Sequence, residues 1–258
     1  MKRHILAVAV CISFLAVSAG AVAETSSGHA AWEARAVLGP KVTMGDGWVR
    51  SRVEFGSKDN PVSLGVVFDK EALLGLPKID REYIVPMPTG VTVAPVNHIA
   101  VDWNVHGHVP PGVYNAPHFD FHFYMITPEA RDRITATGPD LSVCDKQPES
   151  RYMPQGYILP PGTEFPRMGA HAVNPSWPEF NGQKFTRSFI YGYYDGQLVF
   201  FEPMITRAYL LSGPSMTQRI AVPAAYARPG WYPTMYSVRF DGMRREYLVS
   251  VEGLAFRK

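Results

Sequence analysis

Cysteine is nearly absent from this chain of 258 residues, which carries two, Cys11 and Cys144. Cys11 lies in an apolar run from Ile5 to about Val17, which follows Met-Lys-Arg-His and precedes the small residues Ala21-Val22-Ala23. That is the pattern of a secretory signal peptide cleaved after Ala23. A retained membrane anchor would need about 20 apolar residues without the small-residue exit. The mature chain, residues 24–258, then keeps Cys144 alone and has no internal disulfide. Cys144 reads as an inert or loop thiol, because no nucleophile signature accompanies it. A periplasmic or secreted protein without disulfides relies on burial, or on a bound metal, to hold its fold. Excess charge of one sign is also lacking. Without Lys2 and Arg3 the 25 basic residues fall to 23, against 23 acidic ones, which argues against nucleic acid as a partner. Absent too are G-x-S-x-G, a P-loop, a dinucleotide fingerprint and H-E-x-x-H, so serine-nucleophile hydrolysis has no anchor.

What the chain has in plenty is turn punctuation, with 23 prolines and 22 glycines. Long helices find no room. Short β-branched and aromatic runs recur instead, at Trp48 to Phe55, Leu64 to Phe68, His98 to Val105, Phe119 to Ile126, Lys184 to Tyr194, Gln197 to Met204, Ala208 to Leu211, Met235 to Phe240 and Glu246 to Val251. Many short strands between turns predict an all-β protein, an antiparallel sandwich or barrel, jelly-roll-like, with a few short helices. A single β-rich domain over 24–258 is expected, with a two-part split near residue 140 left open. Asp195-Gly196 between two such runs marks a type I′ hairpin. Helix is expected only at Lys70 to Leu74 and at Pro128 to Ile134, where Thr127 caps and Pro128 takes the first turn. Gln147 to Pro166 and Ser212 to Tyr232 read as loops or crossover connections.

The chemistry concentrates around P-H-F-D-F-H-F-Y, Pro117 to Tyr124. On a strand with period two, Phe119, Phe121 and Phe123 face a core, and His118, Asp120, His122 and Tyr124 face the other way. The preceding run alternates as well, placing His98, Asp102, Asn104 and His106 on one face. A hairpin across the Pro-Pro-Gly turn is expected to set His108 opposite His118, His106 opposite Asp120 and Asn104 opposite His122. His106 and His108 then lie about 6.6 Å apart along one face, whereas His118 and His122 are about 13 Å apart on a straight strand, the limit for sharing one ion. His106, His108 and His118 form the nearest cluster. His122 joins it through a bulge or belongs to an adjacent site, and His171 in M-G-A-H is a further ligand candidate. Asp120 and Glu202 are the candidate proton carriers, with Asp120 also suited to orienting an imidazole. His98 reads as a buried hydrogen-bonding residue. Such a set suits a transition metal ion, zinc first, with iron, manganese and copper as alternatives. The expected function is an exported metal-binding β-protein. Whether it is an enzyme stays open; a hydrolase or oxygenase acting on a small molecule would use the same site. The alternatives are a metal that braces the fold or is cargo, and a cell-envelope or carbohydrate-binding module using exposed Trp and Tyr without metal. Oligomeric state is open too, homo-oligomers included.

The string H-G-H-V-P-P-G-V-Y-N-A-P-H-F-D-F-H-F-Y, followed by M-G-A-H and F-F-E-P-M, resembles an uncharacterised family of exported bacterial proteins of unknown function, over roughly residues 30 to 210. That resemblance supports a site without implying a reaction. More loosely the chain is similar to cupins, small β-barrels in which an H-x-H pair, a carboxylate and a later His bind a metal. His106-Gly107-His108 and His171 would be the first and last elements. No Glu follows His108 at the short cupin spacing, so His118 or His122 would substitute.

Overall fold

Proline and glycine break the chain into short extended runs, and pairing between those runs builds the molecule. The computed structural model describes residues 35–258; the expected signal peptide lies outside the described residues. In chain order the strands are β1 (Ala36–Leu38), β2 (Val42–Met44), β3 (Gly47–Phe55), β4 (Pro61–Asp69), β5 (Arg81–Val85), β6 (His98–Asn104), β7 (His118–Tyr124) and β8 (Glu164–Phe165). They continue with β9 (Gly169–Ala172), β10 (Arg187–Tyr194), β11 (Gln197–Thr206), β12 (Ser215–Arg219), β13 (Gly230–Tyr232), β14 (Met235–Asp241), β15 (Glu246–Glu252) and β16 (Ala255–Arg257). Short helices α1 (Pro128–Asp132), α2 (Asp140–Cys144) and α3 (Arg207–Leu211) decorate them. The described residues belong to one compact unit.

Curled antiparallel sheets form a half-barrel, the all-β class expected. One sheet runs β1-β3-β4-β15-β14-β12 with β2 added on β3, and the other runs β5-β6-β7-β11-β10-β9-β8. Their facing sides share one apolar core. Across it Phe68 of β4 stacks on Phe121 of β7 with ring centroids 6.1 Å apart, and Phe189 of β10 meets Tyr236 of β14 at 5.1 Å. The phenyl face of β7 therefore enters the core, as its period-two pattern requires. Loops cover the opposite face of this sheet too, so every residue of β7 is buried.

Turn and cap chemistry act locally as the residue types dictate. Asp195 and Gly196 have φ of 51° and 67°, and Tyr194 pairs with Gln197 across them. The Thr127 hydroxyl accepts from the Ala130 amide to start α1, and Asp69 caps a 3₁₀ turn over Lys70–Leu73. Cys144 is fully buried at the end of α2 beside Ile134 and Ala136, and burial pushes its thiol up to about 11.

Three local expectations are corrected. Ala208 to Leu211 is helix α3 rather than strand, because Thr206 at the end of β11 accepts from the Tyr209 amide and the segment holds good helix formers. Neither Ser212 to Tyr232 nor Gln147 to Pro166 is all loop; the first contains β12 and β13, the second β8 and a 3₁₀ turn over Ser150–Tyr152. The polar run Ser215–Arg219 becomes an edge strand through its pairing with β14.

Candidate metal centre

The outer face of the second sheet gathers the polar side chains of β6, β7, β9 and β11. The hairpin of β6 and β7 forms, but its register differs from that expected: Asn104 pairs with His118, Asp102 with Asp120, Ala100 with His122 and His98 with Tyr124. Pairing stops at Asn104 because the chain leaves the sheet there, with Gly107 at φ 72° where a Cβ would strike the Tyr114 carbonyl at 1.9 Å. Hence His106 and His108 are not strand neighbours on one face. His106 is exposed on the loop, outside both groups described below. His108 folds back over β7, its ring centroid 4.7 Å from that of His118.

Among the described residues two groups have ligand atoms within 4.8 Å of one another: His108, His118 and Asp120, and His122, His171 and Glu202. Each is two imidazoles and one carboxylate. In the first group, Asp120 lies 3.2 Å from His108 Nε2 through Oδ2 and 3.1 Å from His118 Nε2 through Oδ1. In the second, Glu202 Oε2 lies 3.5 Å from His122 Nε2 and 3.6 Å from His171 Nε2. Two atoms each about 2.0–2.1 Å from one tetrahedral ion stand about 3.3 Å apart, which these contacts bracket.

The other ring nitrogens explain the orientation. His108, His118 and His171 each donate from Nδ1 to a backbone carbonyl, of Val109 at 2.8 Å, Ala116 at 2.7 Å and Thr163 at 2.7 Å. A carbonyl only accepts, so each Nδ1 carries a proton, which leaves Nε2 as the nitrogen able to face a metal ion. His122 Nδ1 stands 3.0 Å from Asp102 Oδ2, and Asn104 donates to Asp120 Oδ2 at 2.6 Å. Asp102 and Asn104 belong to the outward polar face of β6 and were readable as such, but their partners depend on the register.

Buried charge sharpens the picture. Asp102 and Asp120 are directly opposed across β6 and β7, an unfavourable pairing of like charges. Asp120 and Glu202 are buried too, and carboxylates so placed require positive charge nearby. His118 Nε2, Asp120 Oδ1, His122 Nε2 and Glu202 Oε2 are buried without a hydrogen-bond partner. Burial opposes charge on His108, but Asp120 outweighs it and holds the imidazole up at about 9. Burial likewise opposes charge on His122, yet Tyr124, Glu202 and Asp102 hold it well above its ordinary range. Burial pushes Asp102 up and His171 down. For Asp120, burial is outweighed by His118 and His108, which hold the carboxyl well below its usual range.

A cavity of about 560 Å³ opens above the groups, touching His108, Asp120, His171 and Glu202 and walled by Tyr114, Phe165, Phe180, Val173 and Ile190. His118 and His122 lie beneath it, fully buried. Aromatic rings wedge both: Phe185 is 5.3 Å from His118, and Phe200 is 4.9 Å from His122 and 5.3 Å from His171. His98 stands apart from both groups, stacked on Tyr124 at 4.8 Å.

No curated protein and no solved structure matches the chain. Residues 56–103, from just after β3 through most of β6, match the TTHB210-like family model, described as hypothetical protein TTHB210; the His-Phe-Asp-Phe-His-Phe-Tyr string lies beyond the match, so the chain is similar to a family of unknown function through its scaffold strands, and its His and carboxylate groups could hold a metal.

Proposed function

We propose that this is an exported metal-binding protein whose ion, zinc in the first instance, sits on the floor of the cavity and serves chemistry on a small molecule admitted there. The observation that carries the reading is the orientation of the four imidazoles. Each offers Nε2 to a buried carboxylate while Nδ1 faces an oxygen acceptor, the arrangement by which outer partners fix a metal-binding tautomer. Three protein ligands per group, beside a cavity, favour an open coordination position over a closed structural site. A bound ion would polarise a carbonyl or lower the pKa of water there. The chain's own residues would do the rest: Asp120 and Glu202 hold the ion together with the imidazoles, and the aromatic wall excludes water around the substrate. The same two-His, one-carboxylate set also suits non-haem iron and oxygenase chemistry. Export rests on the Lys2, Arg3 and apolar N-terminus, and detection of a mature chain beginning at Glu24 outside the cytoplasm would support it.

Elemental analysis of protein purified without a histidine tag should find transition metal bound to the chain. Chelation should remove it while leaving the β-sheet circular dichroism in place. A chain that neither carries nor takes up metal would end this reading, and unfolding on chelation would favour a structural brace instead. Asp102→Ala removes the carboxylate beside His122 without touching a ligand. It should weaken binding at the His122 group by 10 to 100-fold, the usual cost of losing such a partner; unchanged affinity in a metal titration would show that Asp102 does not orient the ring.

A further inference from the structure

The notion of one ion per chain does not fit the distances. His118 and His122 are four residues apart on β7, about 13 Å between Cα atoms on a straight strand, and each belongs to a group closed within 4.8 Å. Each group also has its own carboxylate and its own set of Nδ1 acceptors. We infer that the chain binds two divalent transition-metal ions, one per group, in one shared cavity and with unequal affinity. The inference rests on the metal-binding reading above and adds stoichiometry and order to it.

The inequality follows from where the ligands stand. His122, His171 and Glu202 come from β7, β9 and β11 of one sheet and are all buried. Their partners are equally fixed, since Thr163 anchors His171 through both the backbone amide and Nδ1. In the other group His118 and Asp120 are on β7, but His108 comes from the loop between β6 and β7 with its side chain 28% exposed. A ligand on a loop must be ordered when the ion arrives, whereas strand ligands are already in place. Ordering one side chain and its loop costs enough to separate the two affinities by about tenfold or more. The deep group therefore fills first, and the His108 group exchanges.

The test is a calorimetric titration of the chelated, untagged chain with Zn²⁺ alone. Two equivalents should bind, in two resolved steps. His108→Ala, a loop change, should delete the weaker step and keep the tighter one. Glu202→Gln, close to isosteric, should delete the tighter step, with thermal melting recorded to confirm that the variant is folded. If Glu202→Gln does not fold, Asp102→Ala supplies the second arm and should weaken the tighter step selectively. One equivalent in the parent chain, or loss of the tighter step in His108→Ala, would overturn the inference while leaving metal binding itself intact. No uptake at all would overturn both, and would identify the groups as His–carboxylate pairs holding protons.

Discussion

Gly192→Ala is expected to destabilise the fold by about 3 kcal/mol, the upper part of the overpacking range, and to weaken metal binding at His122, His171 and Glu202 while sparing the His108 group. Gly192 on β10 pairs with both Phe200 and His171, and a Cβ there would lie 2.0 Å from Phe200 Cε1 and 2.1 Å from its Cζ. The ring cannot swing clear. It is fully buried and touches Tyr124 at 5.2 Å, His122 at 4.9 Å and His171 at 5.3 Å. One added methyl therefore pushes on two candidate ligands through one phenyl. Phe200→Leu placed in the Gly192→Ala background should cost less than Phe200→Leu alone, because the smaller side chain relieves the clash. Urea unfolding and Zn²⁺ titration of the four members of this cycle measure both effects. Strictly additive stabilities would mean that the strand absorbs the methyl elsewhere, and the link from Gly192 to the ligands would fail.

Acid should cost the protein about 3 kcal/mol through His98 alone. Burial pulls this imidazole down to about 4, with the nearby Arg131 guanidinium adding to the shift and the backbone at Ile126, Glu82 and Asp132 opposing it. The residue is 7% exposed. Arg131, itself buried, lies over Tyr124 with Cζ 5.1 Å from the ring centroid and pairs with Glu82 at 3.0 Å, so a proton on His98 would add a second cation on the same aromatic ring. In the unfolded chain the imidazole titrates near 6.5. Between 6.5 and 4 the unfolded state binds the proton and the folded state does not, so stability is full above 6.5 and falls as pH drops towards 4. His98→Phe, which can keep the stack on Tyr124, should lose less stability than the parent chain between pH 7 and pH 4.5 and should bind metal unchanged. An equal loss in both proteins would show that His98 does not titrate as a buried neutral group.

The β-rich class, the main strands around the core and the Asp195-Gly196 turn were legible in the sequence because each depends on local patterning. A phenyl at every second residue from Phe119 to Phe123 demands a strand with one face in a core, whichever strand lies beside it. The residue types of the site were legible too: His108, His118, His122, His171, Asp120 and Glu202 were all candidates. Their grouping was not. Even parity of pairing was required for both apolar faces to share the core, but several even registers satisfy that demand equally. The choice among them fell to the loop after Asn104, where Gly107 turns the chain out of the sheet, sends His106 to solvent and returns His108 over Asp120. Only the tertiary structure could bring Glu202 of β11 and His171 of β9 to His122, since strands distant in sequence are neighbours through hydrogen bonding across a sheet. Sequence alone determined an aromatic strand carrying imidazoles and a carboxylate on the face opposite its phenyl rings. The loop after Asn104 and the sheet order decided how these imidazoles divide into two groups, because they set His108 beside His118 and Asp120 and bring His171 and Glu202 to His122.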